Sequence, residues 1–212
     1  MTVFDGAHER LARSRRVTVL VDHLEALIPE GARVIDVGAG DGQITSALIE
    51  RRPDLDVVAI DVLVRPGGAV RVVHFDGRTM PFEDQSADVV LFVDVLHHAT
   101  DQFRLLSEAA RVTRGSILIK DHLRQGFLAQ QTLRFMDDVG NRRHGVDMTY
   151  DYLSPDEWTG LFDRAGLERV SEQRKLSLYS WYASWLFDRS LHFVAELRPC
   201  HPALENERSA AP

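Results

Sequence analysis

A glycine-rich run at residues 34–43, VIDVGAGDGQ, constrains the fold more than any other feature of this chain. Its first residues are mostly apolar, as in a buried strand, and residues 43–52 follow with the spacing of a helix. Gly38, Gly40 and Gly42 alternate through the turn between them, where the lack of a Cβ atom permits tight bends and close approach of a ligand. A strand, a glycine turn and a helix in this order predict the ligand-binding edge of an α/β sheet.

Short apolar runs alternate with helical patterns along most of the chain. This alternation predicts an α/β fold, with parallel strands joined by right-handed crossovers. The predicted strands are residues 32–37, 57–60, 70–75, 89–93, 116–120, 167–175 and 191–197. The predicted helices are residues 9–28, 43–52, a helix from about 103 closed by Gly115 as its C′ residue, one near 127–136, and one starting at the Ser154 capping box.

Composition excludes several classes of protein. The 212 residues are 44% hydrophobic and 27% charged, ordinary values for a globular chain and not for a collagen-like, disordered or disulfide-dense one. The formal net charge of −7 opposes binding to nucleic acid unless basic residues gather on one face. Cys200 is the one cysteine, and no apolar run is long enough to span a bilayer. We therefore expect a cytoplasmic protein with no membrane span.

The chain is expected to form a single domain over residues 1–198. Within it, residues 1–29 form an N-terminal helix and residues 122–153 an insertion on the substrate side of the sheet. Residues 199–212 are polar and predict a flexible tail.

Carboxylates follow the predicted strands at the edge where such sheets bind ligands. The GxGxG spacing differs from the GxGxxG of dinucleotide sites, and Asp36 and Asp41 flank it, which favours a cationic group over a pyrophosphate. Asp61 follows the second strand, where a carboxylate can accept hydrogen bonds from ribose hydroxyls. Asp76 follows the third strand and can accept a hydrogen bond from an adenine amino group.

Together these motifs resemble the class I S-adenosylmethionine-dependent methyltransferases, and most closely the branch typified by ubiquinone and menaquinone biosynthesis methyltransferases (the type 11 methyltransferase domain). The similarity covers residues 30–122 and rests on DVGAGDG, then Asp61, then DGRTMPFEDQSADVVLFVDVLHH. It implies a Rossmann-like, doubly wound, seven-stranded sheet whose last strand, 191–197, is antiparallel, with a helical insertion after strand 5.

The resemblance also implies a cofactor, S-adenosylmethionine, with S-adenosylhomocysteine as the product. By the same carry-over, Asp36 and the glycines border the methionine part, Asp61 the ribose, and Asp76 with Gly77 the adenine. Val93 and its neighbours border the sulfonium. The candidate cofactor contacts are Asp36, Gly38, Gly40, Gly42, Asp61, Val62, Asp76, Gly77, Val93 and His98.

Methyl transfer proceeds by in-line attack of a nucleophile on the sulfonium methyl, so alignment and exclusion of water are the main requirements. A phenol, alcohol or carbon acid must also lose a proton, for which histidine is suited. His122, beside Asp121 after strand 5, and His144, in a glycine-flanked loop, are the candidate catalytic residues. The alternative for both is a solvated loop histidine, whereas His97 and His98 are predicted to line the site or to pack.

A metal site is not predicted. Asp94 and Asp121 follow strands 4 and 5, as the carboxylates of metal-dependent catechol-type methyltransferases do. Those enzymes have an asparagine beside the second acid, where this chain has His122.

Aromatic residues in the second half predict a small-molecule acceptor that is largely apolar or aromatic, with core packing as the alternative for each. The aromatic residues are Phe127, Phe135, Tyr150, Tyr152, Tyr179, Trp181, Tyr182 and Trp185, and Met136 is grouped with them as an apolar side chain. Arg13, Arg15 and Arg16 form either a solvated helix face or a contact to an acidic substrate.

Two other functions stay open from the sequence. One is a cofactor-binding module without methyltransferase activity. The other, a nucleic-acid methyltransferase, is disfavoured because residues 93–98 lack the (D/N/S)PP(Y/F) motif and Cys200 lies in the tail. The sequence does not indicate the oligomeric state.

Overall fold

The candidate residues are carried by a fold built on one seven-stranded sheet with helices packed against it. A computed structural model describes residues 15–141, 151–178 and 191–200, with the side chains of 137–141 excepted. The helices are α1 (15–25), α2 (Gln43–Arg51), α3 (Gln102–Val112), α4 (Ala129–Asn141) and α5 (Pro155–Arg164), with a 3-10 turn at Leu96–His98. The strands are β1 (Arg33–Val37), β2 (Asp56–Asp61), β3 (Val72–His74), β4 (Ala87–Val93), β5 (Thr113–His122), β6 (Leu167–Gln173) and β7 (His192–Pro199).

The strands form one sheet in the order β3-β2-β1-β4-β5-β7-β6. Strands β1 to β5 pair in parallel, and β7 lies antiparallel between β5 and β6. The predicted seven-stranded Rossmann-like sheet with an antiparallel last strand is therefore confirmed. Its parallel part brings the carboxyl ends of β1, β2, β4 and β5 to one edge.

Two apolar cores cover the faces of the sheet. Neighbouring residues of β1 point to opposite faces, because side chains alternate along a strand. Val34 joins the core beneath α1 and α2, and Ile35 joins the core beneath α3 and α5. Leu24 of α1 and Trp158 of α5 are buried in these two cores. Both helices thus hold the sheet from opposite sides.

The connection from β2 to β3 differs from the helical crossover expected between parallel strands. Residues 62–71 contain no helix, and the β3 strand has only the three residues Val72–His74 instead of 70–75. Pro66, Gly67 and Gly68 explain this, since proline lacks the amide donor and glycine disfavours helix. The segment folds instead against the turn after β1.

The prediction that Gly115 closes α3 is wrong. The helix ends at Val112, and β5 begins at the next residue and includes Gly115. A Cβ atom on Gly115 would collide with the carbonyl oxygen of Asp88 on β4, so glycine is required here for close approach of two strands.

The helical insertion after β5 is confirmed by α4, which begins two residues later than predicted. Phe127 and Phe135 are 84% and 60% exposed, so neither packs in a core. At the other end of the chain, β7 extends to Pro199, and the amide of Cys200 donates to Gly166 O at 2.8 Å. The rest of the predicted tail, 201–212, lies outside the described residues. No helix in the described ranges is both long and apolar enough to cross a bilayer.

Candidate cofactor and acceptor site

The turn between β1 and α2 has the backbone geometry that its glycines predict. Gly38, Gly40 and Gly42 have φ angles of 74°, 64° and 76°, in the left-handed region that favours glycine. The amide of Gly38 donates to Ile60 O at 2.8 Å, which ties the turn to β2. A Cβ atom on Gly38 would lie 2.5 Å from Cγ2 of Val95, so the loop after β4 packs directly on this turn. We call residues 38–42 the glycine turn.

Two buried acids support the glycine turn. Asp36 accepts a hydrogen bond from Thr45 Oγ1 at 2.5 Å, and burial raises its pKa to about 6. Asp61 accepts from the amides of Gly40 and Leu63, both at 2.8 Å, through different carboxylate oxygens. Asp61 was predicted only as a ribose contact. The structure adds that it orders the turn.

Asp76, Gly77 and Val62 meet at an exposed rim beyond β2 and β3. One oxygen of Asp76 accepts from the amides of Thr79 and Arg78 at 2.7 and 2.8 Å, and these bonds lower the pKa of its carboxyl. Gly77 has a φ of 73°, and Cγ1 of Val62 lies 2.9 Å from where its Cβ would be. The residues predicted around the nucleoside are therefore neighbours in space.

The loop after β4 connects the glycine turn to the end of β5. Val93 pairs with Lys120, and the next residue, Asp94, has a φ of 56°. Val95 then covers Gly38, and a 3-10 turn presents His97 and the half-buried His98 with ring centroids 3.9 Å apart. Sequence reasoning missed Val95, because an apolar residue after a strand has no distinctive signal.

A second group of side chains lies beside this loop, at the ends of β4 and β5 and the start of β7. We call it the acceptor cluster, and it consists of Asp94, His97, Lys120, Asp121, His122 and His192. The register of the sheet assembles it, since His122 lies opposite His192 with ring centroids 4.9 Å apart.

Asp121 is the side chain of the cluster that accepts the most hydrogen bonds from the described residues. It is fully buried and pairs with Nδ1 of His97 at 2.6 Å, and it accepts from the amides of His122 and Leu96 at 2.7 and 3.0 Å. Burial alone would raise its pKa, but His97 and His122 outweigh burial and hold the pKa below the usual value. The carboxylate thereby fixes both histidine-bearing loops.

Lys120, Asp94 and Arg16 form a network of ion pairs between the sheet and α1, in which Lys120 is buried and the other two are half-buried. Lys120 is 1% exposed and pairs with Asp94, which also pairs with Arg16. Burial opposes the charge of Asp94, but the two cations hold its pKa well below the usual value. Burial lowers the pKa of Lys120. Arg16 is thus half-buried and paired with Asp94, and Arg15 donates to Ser177 O at 3.3 Å.

His122 is the predicted catalytic residue that the structure describes. Its Nδ1 lies 3.3 Å from Nδ1 of His97, 3.5 Å from Asp121 Oδ1 and 3.7 Å from Asp94 Oδ1. Burial, His97 and Lys120 lower its pKa, which favours the neutral ring at pH 7. The described residues provide no hydrogen-bond partner for its Nε2.

The other predicted catalytic residue, His144, lies outside the described residues. So do Tyr150, Tyr179, Trp181, Tyr182 and Trp185 of the predicted acceptor pocket. Tyr152 is described, and its buried ring stacks on His97 with centroids 5.5 Å apart.

His97, Asp121 and His122 could also present ligand atoms to a metal, since those atoms lie within 4.8 Å of one another. The same atoms are already engaged with each other, at 2.6 Å between His97 and Asp121. Lys120 next to them already supplies positive charge. We therefore assign the set to hydrogen bonding.

A glycine turn backed by acids, at the open edge of a seven-stranded sheet of this order, is the architecture of a class I S-adenosylmethionine-dependent methyltransferase. The profile of a methyltransferase-domain family matches residues 8–172, and the chain belongs to this family.

Relatives and solved structures agree. The chain is 28% identical to an uncharacterised methyltransferase of Mycobacterium bovis, over 97% of this chain and 88% of the relative. It is 28% identical to the 27-O-demethylrifamycin SV methyltransferase of Amycolatopsis mediterranei, over 74% of this chain and 62% of that protein. The solved structure of CalO1, a methyltransferase in calicheamicin biosynthesis with S-adenosylhomocysteine bound, is 23% identical and superimposes with a TM-score of 0.59, over 92% of this chain and 56% of that one.

Proposed function

We propose that this enzyme transfers the methyl group of S-adenosylmethionine to a hydroxyl oxygen of a small, largely apolar or aromatic molecule, with His122 as general base. The observation that carries the proposal is the arrangement of His122, whose Nδ1 faces Asp121 and Asp94 while the described residues leave Nε2 without a partner. His144 stays a second candidate base.

The cofactor is proposed to lie over the glycine turn. Asp36 lies beneath the methionine part, Asp61 beside the ribose, and Asp76 with Gly77 at the adenine. Val62, Val93 and His98 complete the contacts. The cofactor supplies an electrophilic methyl group, and the chain must align an acceptor with it and keep water out. The bound product in the CalO1 structure supports the same choice of cofactor.

The acceptor is proposed to lie on the β5 side of the cofactor. Val95 contacts the glycine turn, and the amide of the next residue, Leu96, donates to Asp121 at 3.0 Å. One short loop therefore separates the cofactor turn from His122. An acceptor above this loop would be within reach of both.

His122 is suited to remove a hydroxyl proton. Because its lowered pKa keeps the ring neutral, Nε2 can take the proton as the oxygen–methyl bond forms and the carbon–sulfur bond breaks. Asp121 and Asp94 then lie near the positive charge that develops on the ring. The proton leaves to solvent when the product is released.

The choice of an O-methyl acceptor rests on chemistry and similarity. The Amycolatopsis relative is named for methylation of an oxygen. Phe127, Leu128 and Phe135 leave apolar surface exposed on the insertion, which is suited to contact with an apolar acceptor. An acidic substrate is less favoured here, because Arg16 is paired with Asp94.

His122→Gln tests the proposal. The variant should lower methyl transfer from labelled S-adenosylmethionine to hydroxylated aromatic acceptors by about 10²–10⁴-fold, the usual contribution of a placed base. Its affinity for S-adenosylhomocysteine, measured by calorimetry, should stay within about twofold, because the base does not touch the glycine turn.

The matched control is His23→Gln on α1, a half-buried histidine whose Nε2 contacts Leu176 O. It should leave turnover unchanged. Full activity of His122→Gln would remove this residue as the base. Tight binding of S-adenosylhomocysteine without turnover on any acceptor would favour a cofactor-binding module instead.

A further inference from the structure

Arg65 lies against the glycine turn, although it comes from the segment between β2 and β3. A Cβ atom on Gly40 would lie 2.9 Å from Nη1 of Arg65, so the guanidinium occupies the space beside this glycine. Gly40 is the middle glycine of the turn and donates its amide to Asp61. A positive group is therefore held at the centre of the proposed cofactor site.

The segment around Arg65 is fixed by contacts to the same turn. The amide of Ala69 donates to Asp41 O at 2.8 Å, and Cγ2 of Val70 lies 2.6 Å from the Cβ position of Gly42. Because no crossover helix separates β2 from β3, residues 65–70 can fold back over residues 40–42. The position of Arg65 follows from this short connection.

Arg65 is half-buried, yet it forms no ion pair or hydrogen bond with any residue that the structure describes. The carboxylates that support or belong to the same turn are acidic groups of the opposite charge: Asp36 and Asp61 support the turn, and Asp41 belongs to it. These acids suit the sulfonium and ammonium groups of S-adenosylmethionine but not its carboxylate. A guanidinium is well matched to a carboxylate, since it can donate two parallel hydrogen bonds.

We infer that Arg65 binds the carboxylate of the methionine part of the cofactor. The inference rests on the proposed function, because it requires the cofactor to lie on the glycine turn. It assigns to the β2–β3 segment a direct role in holding the amino-acid end of the cofactor. Binding then orders an arginine that has no partner among the described residues.

Two ligands that differ in the amino-acid part separate this role from a general effect on the site. S-adenosylhomocysteine carries the carboxylate, whereas 5′-methylthioadenosine keeps the nucleoside and thioether and lacks it. Arg65→Gln should weaken binding of S-adenosylhomocysteine about tenfold, as expected for loss of a charge-assisted hydrogen bond. Its affinity for 5′-methylthioadenosine should change less than about twofold. Arg65→Lys, which keeps the charge, should lie between wild type and Arg65→Gln for S-adenosylhomocysteine.

Arg71→Gln is the matched control, because it removes the same charge from an exposed position on the same segment. It should change neither affinity, and all variants should unfold at the wild-type temperature. Equal weakening of both ligands in Arg65→Gln would overturn the inference, and so would unchanged affinity for S-adenosylhomocysteine. If the wild-type chain bound neither ligand, the proposed function itself would fail, which is a separate and distinguishable result.

Discussion

The glycine turn and the acceptor cluster lie at the same edge of one sheet but are built in opposite ways. The turn is formed by backbone with left-handed glycines, and the amide of Gly40 donates to the buried carboxylate of Asp61. The cluster is formed by largely buried side chains from two strands, β5 and β7, and from the β4 loop, and its charges are in ion pairs. Val95 is the contact between them.

This difference indicates which property of the protein each region controls. A turn made of backbone can hold a common cofactor with few variable side chains. A buried cluster of charges tolerates little change, because removing one partner leaves another charge uncompensated. We therefore expect substitutions in the cluster to change mainly the stability of the protein, and substitutions in the turn to change mainly ligand binding.

The largest effect is expected from Asp121→Asn in the acceptor cluster. This change keeps the shape but removes the charge paired with His97, so it should lower the free energy of unfolding by about 3–5 kcal/mol. Because the pKa of Asp121 is lowered on folding, its contribution is full above the ordinary value near 3.9 and is lost as the pH falls below it. Denaturant unfolding at pH 7 measures the effect.

The control is Asp163→Asn, an exposed carboxyl at the end of α5, which should stay within about 0.5 kcal/mol of wild type. A loss below about 1 kcal/mol for Asp121→Asn would contradict the central role given to this carboxylate.

The next effect concerns Asp36, beneath the glycine turn, and has the opposite sign. Its pKa of about 6 in the folded chain exceeds the ordinary value, so the folded state binds more protons between pH 4 and 6. The stabilisation that the protonated Asp36 gives the folded state is full below pH 4 and is lost as the pH rises through 6. Asp36→Asn should therefore be more stable than wild type at pH 7, by about 3 kcal/mol at 1.36 kcal/mol per pKa unit.

The free energies of unfolding of wild type and Asp36→Asn, plotted against pH, should diverge between pH 4 and 6 and run parallel above pH 6. Asp56→Asn, at the exposed start of β2, is the control and should show no such divergence. Parallel curves over the whole range for Asp36→Asn would refute the raised pKa. A confirmed result would mean that the turn keeps a destabilising charge, which the proposed cationic cofactor would compensate.

Local patterns predicted the turn well and the cluster poorly. The glycines, Asp36, Asp61 and Asp76 lie at or just after the ends of three consecutive strands, so the order of the chain places them at one edge once the sheet is assumed. The pairing of Arg16 with Asp94 and Lys120 depends on the packing of α1 and on the register of β4 with β5. Neither can be predicted from a local sequence pattern. The sequence offers 25 lysine and arginine residues as possible partners for Asp94 and does not indicate which of them pair with it.

The same reason explains the segment between β2 and β3. Pro66, Gly67 and Gly68 exclude a helix, but nothing in their order indicates that Arg65 would lie against Gly40. His144 and most of the predicted aromatic pocket lie outside the described residues, so those assignments stay predictions.

The smallest effect tests the contact that joins the two regions. Gly31 and Gly38 both have left-handed φ angles, 65° and 74°, but a Cβ on Gly31 meets nothing within 4 Å, whereas one on Gly38 lies 2.5 Å from Val95. Gly31→Ala should therefore cost about 1 kcal/mol of unfolding free energy from backbone strain alone. Gly38→Ala should cost about 2–3 kcal/mol, because Val95 must also move.

Adding Val95→Ala to each variant separates the two contributions. The second change should recover part of the loss in Gly38→Ala and none of it in Gly31→Ala, which gives a coupling energy in a double-mutant cycle. Equal losses for both glycines would show that the β4 loop does not press on the turn. Coupling confined to Gly38 would mean that a shift in the loop bearing His97 and His98 is felt at the proposed cofactor site, so that the backbone-built and side-chain-built regions act on each other through one valine.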